Sequence, residues 1–236
     1  MANHVLSWCR GAGMIAVLGL LPLPAAAADR PWATYAEVHS IFARFEAVPH
    51  DKRSLLQLRV RATPGETGQG GKPVRLKIAT RAGVRPVSIT ADGFLKLPPD
   101  AELVRDNPMI TTSLPAGTPL LLRPELIFVP LPLPGVSIAG LSARLDQANR
   151  TVRSQLGFWA MFALRARSIE LVFADPATEV VLKAPGGTTR LVPDPQGRVV
   201  IKPDRRLAGS ELRYAVSPVL ARPIFAGSMV LRAGAD

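Results

Sequence analysis

Strict alternation of apolar and polar side chains is the feature that most limits how this chain can fold. Leu56, Leu58 and Val60 point one way while Gln57, Arg59 and Arg61 point the other, and past the turn-rich stretch 64–71 the same alternation sets Val74, Leu76 and Ile78 against Arg75 and Lys77. A period of two belongs to strands with one buried face, so these segments are predicted as strands, paired in a hairpin with a long loop. Val87, Ile89 and, after the Asp92-Gly93 turn signal, Phe94, Leu95 and Leu97 continue the pattern. It returns at 169–173, 179–182, 189–192, 198–201, 212–216 and 229–231.

Proline sets the second limit. Between Pro98 and Pro134 the prolines cut the apolar sequence into short pieces, which are expected to be short strands or extended segments with proline at their ends. Pro130, Pro132 and Pro134 also interrupt the 16-residue apolar run 126–141, which is too short and too poor in backbone donors for a membrane helix.

Helical spacing occurs twice. In 29–48, Tyr35, Val38, Ile41, Phe42 and Phe45 fall on one face, and Pro49 stops the helix. Further on, Leu141, Leu145, Ala148, Val152 and Leu156 form a stripe opposite Arg144, Asp146, Arg150 and Arg153, with Ser142 as the expected N-cap and Gly157 as the stop. The fold class that follows is mainly β (α+β): two β-sandwich-like halves with an N-terminal helix and a central amphipathic helix. The expected divisions are a leader at 1–28, an N-terminal β-rich domain at 29–135, a helical connector at 136–167 and a C-terminal β domain at 168–236. One short segment occurs twice without gaps: Gly93 to Leu103, with Pro99-Asp100, matches Gly197 to Leu207, with Pro203-Asp204.

The leader predicts the compartment. Arg10, the apolar run 11–24 and Ala25–Ala28 before Asp29 have the order of a cleavable export signal, which places the mature protein in the periplasm. The single cysteine, Cys9, lies in that leader, so the mature chain is expected to have no disulfide, thiol nucleophile or thiolate metal ligand. Without Arg10 the chain keeps 28 basic against 18 acidic residues, an excess of ten positive charges. After export such a charge meets anionic lipid, lipopolysaccharide or other envelope components rather than nucleic acid. Nucleic-acid binding would also ask for aromatics among the basic residues, whereas Phe42, Phe45, Phe158, Trp159 and Phe162 sit in apolar runs.

Catalytic and cofactor motifs are missing from the sequence. The stretch 65–72 has Glu66 where a phosphate loop needs glycine and Pro73 where it needs serine or threonine. His39 and His50 lack the spacing of a metal-binding pair, and no Gly-x-Ser-x-Gly elbow occurs. No cofactor and no metal are therefore expected. The constellation that points to binding is basic: with the two strands paired as a hairpin, Arg59, Arg61, Arg75 and Lys77 share one face, and like charges side by side favour an anion. The expectation is a soluble, non-enzymatic periplasmic protein that binds an anionic envelope component, or serves as an accessory factor, through this surface. The competing expectation is a hydrolase of cell-wall or surface polymer, with His39 or His50 and nearby acids in its site.

The segment 92–98, Asn107-Pro108 and the turn 115–117 resemble those of uncharacterised exported Gram-negative proteins. The Gly197–Ile201 strand with its Pro-Asp turn is similar to transthyretin-like and carboxypeptidase-regulatory-like β-sandwich modules. This resemblance implies a fold and a compartment, and carries over no catalytic residue.

Overall fold

The computed structural model describes residues 29–65, 74–156, 165–225 and 231–232. The leader 1–28, Gly157 and the aromatic run 158–164 lie outside the described residues, as does most of the expected strand 229–231. The chain is mainly β, in several antiparallel sheets. Its first half runs β1 (Arg30–Thr34), α1 (Tyr35–Glu46), α2 (His50–Arg53), β2 (Leu56–Pro64), β3 (Leu76–Thr80), β4 (Gly83–Ile89), β5 (Leu95–Lys96), α3 (Ala101–Asp106), β6 (Met109–Thr112) and β7 (Leu120–Phe128). The second half runs β8 (Gly135–Ser137), α4 (Ile138–Leu156), β9 (Ser168–Val172), β10 (Val180–Ala184), β11 (Gly187–Leu191), β12 (Arg198–Ile201), a 3-10 turn (Arg205–Leu207), β13 (Glu211–Tyr214) and β14 (Leu220–Ile224), and β15 (Leu231–Arg232) ends the described chain.

Strand pairing overturns the expected hairpin. β2 lies antiparallel to β7 along its whole length, from Leu56 opposite Phe128 to Pro64 opposite Leu120, while β3 sits between β4 and β6. A nine-residue strand finds its full complement of ladder bonds only against an equally long partner, and β7 supplies it where the five-residue β3 cannot. Pro124 sits inside β7 opposite Val60. An antiparallel ladder draws on alternate positions, so a residue without an N–H is tolerated there.

Three other boundaries move. Residues 30–34, expected as helix, form β1, which pairs with β6 through a bulge between Pro31 and Ala33. The helix starts at Tyr35 because Thr34 and Glu37 close a capping box, the Thr34 N–H donating to Glu37 Oε2 at 2.6 Å. The second helix begins one turn early: Ser137, not Ser142, accepts the Gly140 N–H at 3.0 Å. In the proline-rich region Asp100 accepts N–H bonds from Glu102 and Leu103 and starts α3, a helix the extended reading omits.

The two halves repeat one pattern. A strand passes directly into a helix (β1–α1, β8–α4), and the first helical N–H bonds back across the sheet, Tyr35 to Pro108 O and Ile138 to Ser210 O, each at 2.9 Å. The hairpins β3–β4 and β10–β11 close with Thr80 opposite Gly83 and Ala184 opposite Gly187. One sheet has the order β1-β6-β3-β4-β5, the short β5 pairing only with Ser88 and Ile89 of β4, and the other has the order β8-β13-β10-β11, with β11 exposed at its outer edge. β2 pairs with β7 as β9 pairs with β14. The turns at 90–94 and 194–198 have the same bonds: Thr90 N to Phe94 O and Gly93 N to Thr90 O, Asp194 N to Arg198 O and Gly197 N to Asp194 O. Each turn glycine accepts one strand N–H, from Ala62 to Gly93 O and from Phe173 to Gly197 O.

Two apolar cores lie beneath these sheets. Tyr35, Val38, Val60, Leu76, Ile78, Ile110, Leu120 and Leu122 fill the first. Ile138, Leu141, Leu145, Ala148, Ile169, Leu171, Val180, Leu212 and Tyr214 fill the second, which also takes in Leu56, Phe128 and Leu131. Within the expected helical connector, β8 ends at Ser137 and α4 places Ile138, Leu141, Leu145 and Ala148 in the second core. α4 also carries three buried polar side chains, Gln147, Asn149 and Thr151. Gln147 accepts the Leu55 N–H at 2.8 Å and donates to Asp51 O, and Thr151 donates to Lys52 O. Asn149 pairs with both backbone groups of Ala166, at 2.9 and 3.0 Å. One helix therefore holds the residues that lead into β2 and β9. Tyr214 fixes the loop between the halves, donating its hydroxyl to Pro132 O at 3.0 Å and its N–H to Pro134 O at 2.9 Å.

Two outcomes follow from this packing. Both turn glycines have positive φ, +83° at Gly93 and +72° at Gly197, but an added Cβ meets nothing nearer than 3.8 Å at Gly93 and lies 2.3 Å from Phe173 O at Gly197. Urea unfolding should show Gly93→Ala costing about 1–2 kcal/mol from backbone strain alone, with Gly197→Ala costing clearly more. Burial pushes the Tyr214 hydroxyl up from 10 to about 12, opposed by the Arg144 charge. An acid raised on folding contributes stability that is fully present below pH 10 and lost as pH rises through about 12. Alkaline titration of unfolding should show that loss, and Tyr214→Phe should reduce it.

Candidate functional site

The four basic residues singled out in the sequence divide into two pairs. Arg75 and Lys77 lie on the outward side of the β3 segment, where Lys77 pairs with Asp29 and is flanked in register by Pro86 and Thr111. Arg59 and Arg61 lie on β2, in a different sheet, on the face away from Val60 and Ala62. Because β2 and β3 are not paired and belong to different sheets, the four do not share the hairpin face expected of them.

A different basic face does. β7 places Glu125 opposite Arg59 and Arg123 opposite Arg61. Arg61 Nε bonds Glu125 Oε1 at 2.9 Å and its Nη1 donates to Asp92 O at 2.6 Å. The guanidinium carbons of Arg61 and Arg59 stand 4.3 and 5.3 Å from the centre of the buried Phe94 ring, where the negative face of the ring attracts them. From the second half, Arg222 reaches in: its Nη1 lies 3.6 Å from Glu125 Oε2 while its Nε bonds Glu170. At 3.6 Å the first contact is ionic only, and Glu125 Oε2 stays buried without a hydrogen bond. Asp92 borders the face, its carboxyl held below the usual range by the Thr90 side chain and then by Arg59 and Arg61.

The face therefore gathers Arg59, Arg61, Arg123 and Arg222 around Glu125, with Phe94 as a flat support. Arg61 and Arg222 are tied to carboxylates; Arg123 is exposed and faces a like charge across the strand. Reading the sequence misses Arg123, Glu125, Glu170 and Arg222. The alternation of Leu122, Pro124 and Leu126 with Arg123 and Glu125 signals a strand, but nothing in it names β2 as the neighbour.

A second concavity, about 360 Å³, opens between the β3–β4 turn and α3, lined by Arg81, Arg85, Asp100, Glu102 and Asp106 among others. Asp100 is engaged there, capping α3 with Oδ1 and accepting Arg85 Nη1 on Oδ2 at 3.0 Å. Neither histidine lines it: His39 stacks on Tyr35 with ring centres 5.5 Å apart, and His50 opens α2 on the surface. Among the described residues no three His, Cys, Asp or Glu side chains gather as a metal site, and no helix is long and apolar enough to cross a membrane. Comparison with protein-family models, curated proteins and solved structures finds no match to this chain.

Proposed function

We propose that this is a soluble, non-enzymatic periplasmic protein that binds an anionic component of the cell envelope, lipopolysaccharide or anionic lipid, through the outer face of β2 and β7, with two β-sandwich-like halves as its scaffold. The observation that carries the reading is Arg123 directly opposite Arg61 with Arg59 alongside and one carboxylate, Glu125, among them. Like charges opposed in a ladder cost several tenths of a kcal/mol, which an anion bound across them would relieve. Phosphate groups suit planar guanidinium donors through paired N–H bonds. Support for export comes from the order of Arg10, the apolar run 11–24 and Ala25–Ala28 before Asp29. The second reading, a hydrolase of wall or surface polymer, is favoured by the cleft beside α3, which Asp100, Glu102 and Asp106 line with carboxylates.

Binding is tested by co-sedimentation with lipopolysaccharide or anionic phospholipid vesicles. Arg59→Ser with Arg123→Ser should weaken binding several-fold and flatten its salt dependence, because exposed charges are screened over about 8 Å at physiological salt. Arg75→Ser with Lys77→Ser should bind as wild type. Equal binding by both variants would overturn the assignment of the face. Mass spectrometry of protein from intact cells should find an N-terminus at Ala28 or Asp29; a cytoplasmic form starting at Met1 would overturn export.

A further inference from the structure

The repeat of pattern extends to the surface where the halves meet. Counting three residues back from the strand N–H that bonds each turn glycine leads from Ala62 to Arg59 and from Phe173 to Glu170. Their cross-strand partners are Glu125 and Arg222. Both halves thus carry an acid–base pair at the same place in the same strand pair, with the signs exchanged, and those places touch, Arg222 reaching Glu125 at 3.6 Å. When equivalent positions of two like bodies touch each other, they lie close to a two-fold axis, the signature of an isologous contact.

From this we propose that the chain is a fusion of two copies of one module, spanning 30–128 and 135–224, and that the β7–β14 surface is a two-fold interface that fits a second copy of the module, with Glu125 and Arg222 at its centre. Separate identical copies would oppose identical residues at the axis. Fusion lets one position become acidic and the other basic, converting a like-charge contact into attraction. The exposed Leu133, in the six-residue join between β7 and β8, marks the seam.

The test keeps the whole mature chain. A circular permutant opened at Leu133, with residues 236 and 29 joined by a flexible linker, reverses the order of the modules and retains β15, which pairs with β7. Its thermal midpoint should stay within about 5 °C of the parent, whereas opening at the exposed Gly117 cuts a module and should lower the midpoint by more than about 10 °C. Comparable losses from both openings would overturn the module boundary. A second variant tests equivalence: residues 90–93 replaced by Asp-Pro-Gln-Gly, the sequence of 194–197, should keep the midpoint, while a scrambled tetrapeptide should not. If the transplant does as badly as the scramble, the halves are not copies. A double-mutant cycle of Glu125→Gln and Arg222→Gln should give the same coupling in the Leu133 permutant as in the parent, and no coupling in either would remove the pair from the centre of the interface.

Discussion

The structure depends first on the polar side chains that α4 buries. Gln147, Asn149 and Thr151 are each satisfied by backbone groups of the segments entering β2 and β9. A buried amide left without a partner costs about 1–3 kcal/mol, so these bonds fix where the two strands begin as strictly as packing fixes the apolar face of the helix. Leu56, Phe128 and Leu131 then enter the same core as Leu141 and Leu145, and the halves share one apolar contact.

On the far side of these strands the contact is ionic. Glu125 and Glu170 are nearly buried, with side-chain exposures of 12% and 10%, and Arg222 serves both. A pair of this kind adds little net stability over apolar residues of the same shape, but removing one member strands a charge at a cost of about 3–5 kcal/mol. The Arg–Glu arrangement thus acts more on register and on which surfaces meet than on total stability. The same logic separates Arg61, tied into the network, from Arg123, which is free to meet solvent or ligand.

Local chemistry was legible in the sequence and pairing was not. Alternation located β2, β3, β9, β12 and β13, and the helical stripe of α4 placed Leu141, Leu145 and Ala148 in the core. The match between Gly93 and Gly197 marked a real recurrence because both positions need positive φ and both Asp residues start a helical turn. Which strand lies beside which depends on contacts tens of residues apart, and no turn signal between β2 and β3 encodes the choice of β7. The shared hairpin face is absent for that reason: Arg59 and Arg61 stand on β2 beside Arg123 and Glu125 of β7, with Arg222 reaching Glu125. The buried amides of α4 escaped notice because a polar residue on a helix reads as solvent-facing until its backbone partners are known.

The outer edges of the two large sheets are guarded unequally. In the first, β5 covers Ser88 and Ile89 of β4, and the uncovered part of β4 carries Arg85-Pro86, where proline withholds the donor that an incoming strand would need. β11 occupies the matching edge with Gly187-Thr188-Thr189-Arg190-Leu191, exposed along nearly its whole length and free of proline, and the exposed Val192 follows it. Its protection against strand-on-strand growth is electrostatic: Arg190 and the positive charge of the whole molecule. Polyanions or high salt remove that protection at β11 and leave β4 blocked, so of these two edges it is β11 that becomes open to edge-to-edge self-association.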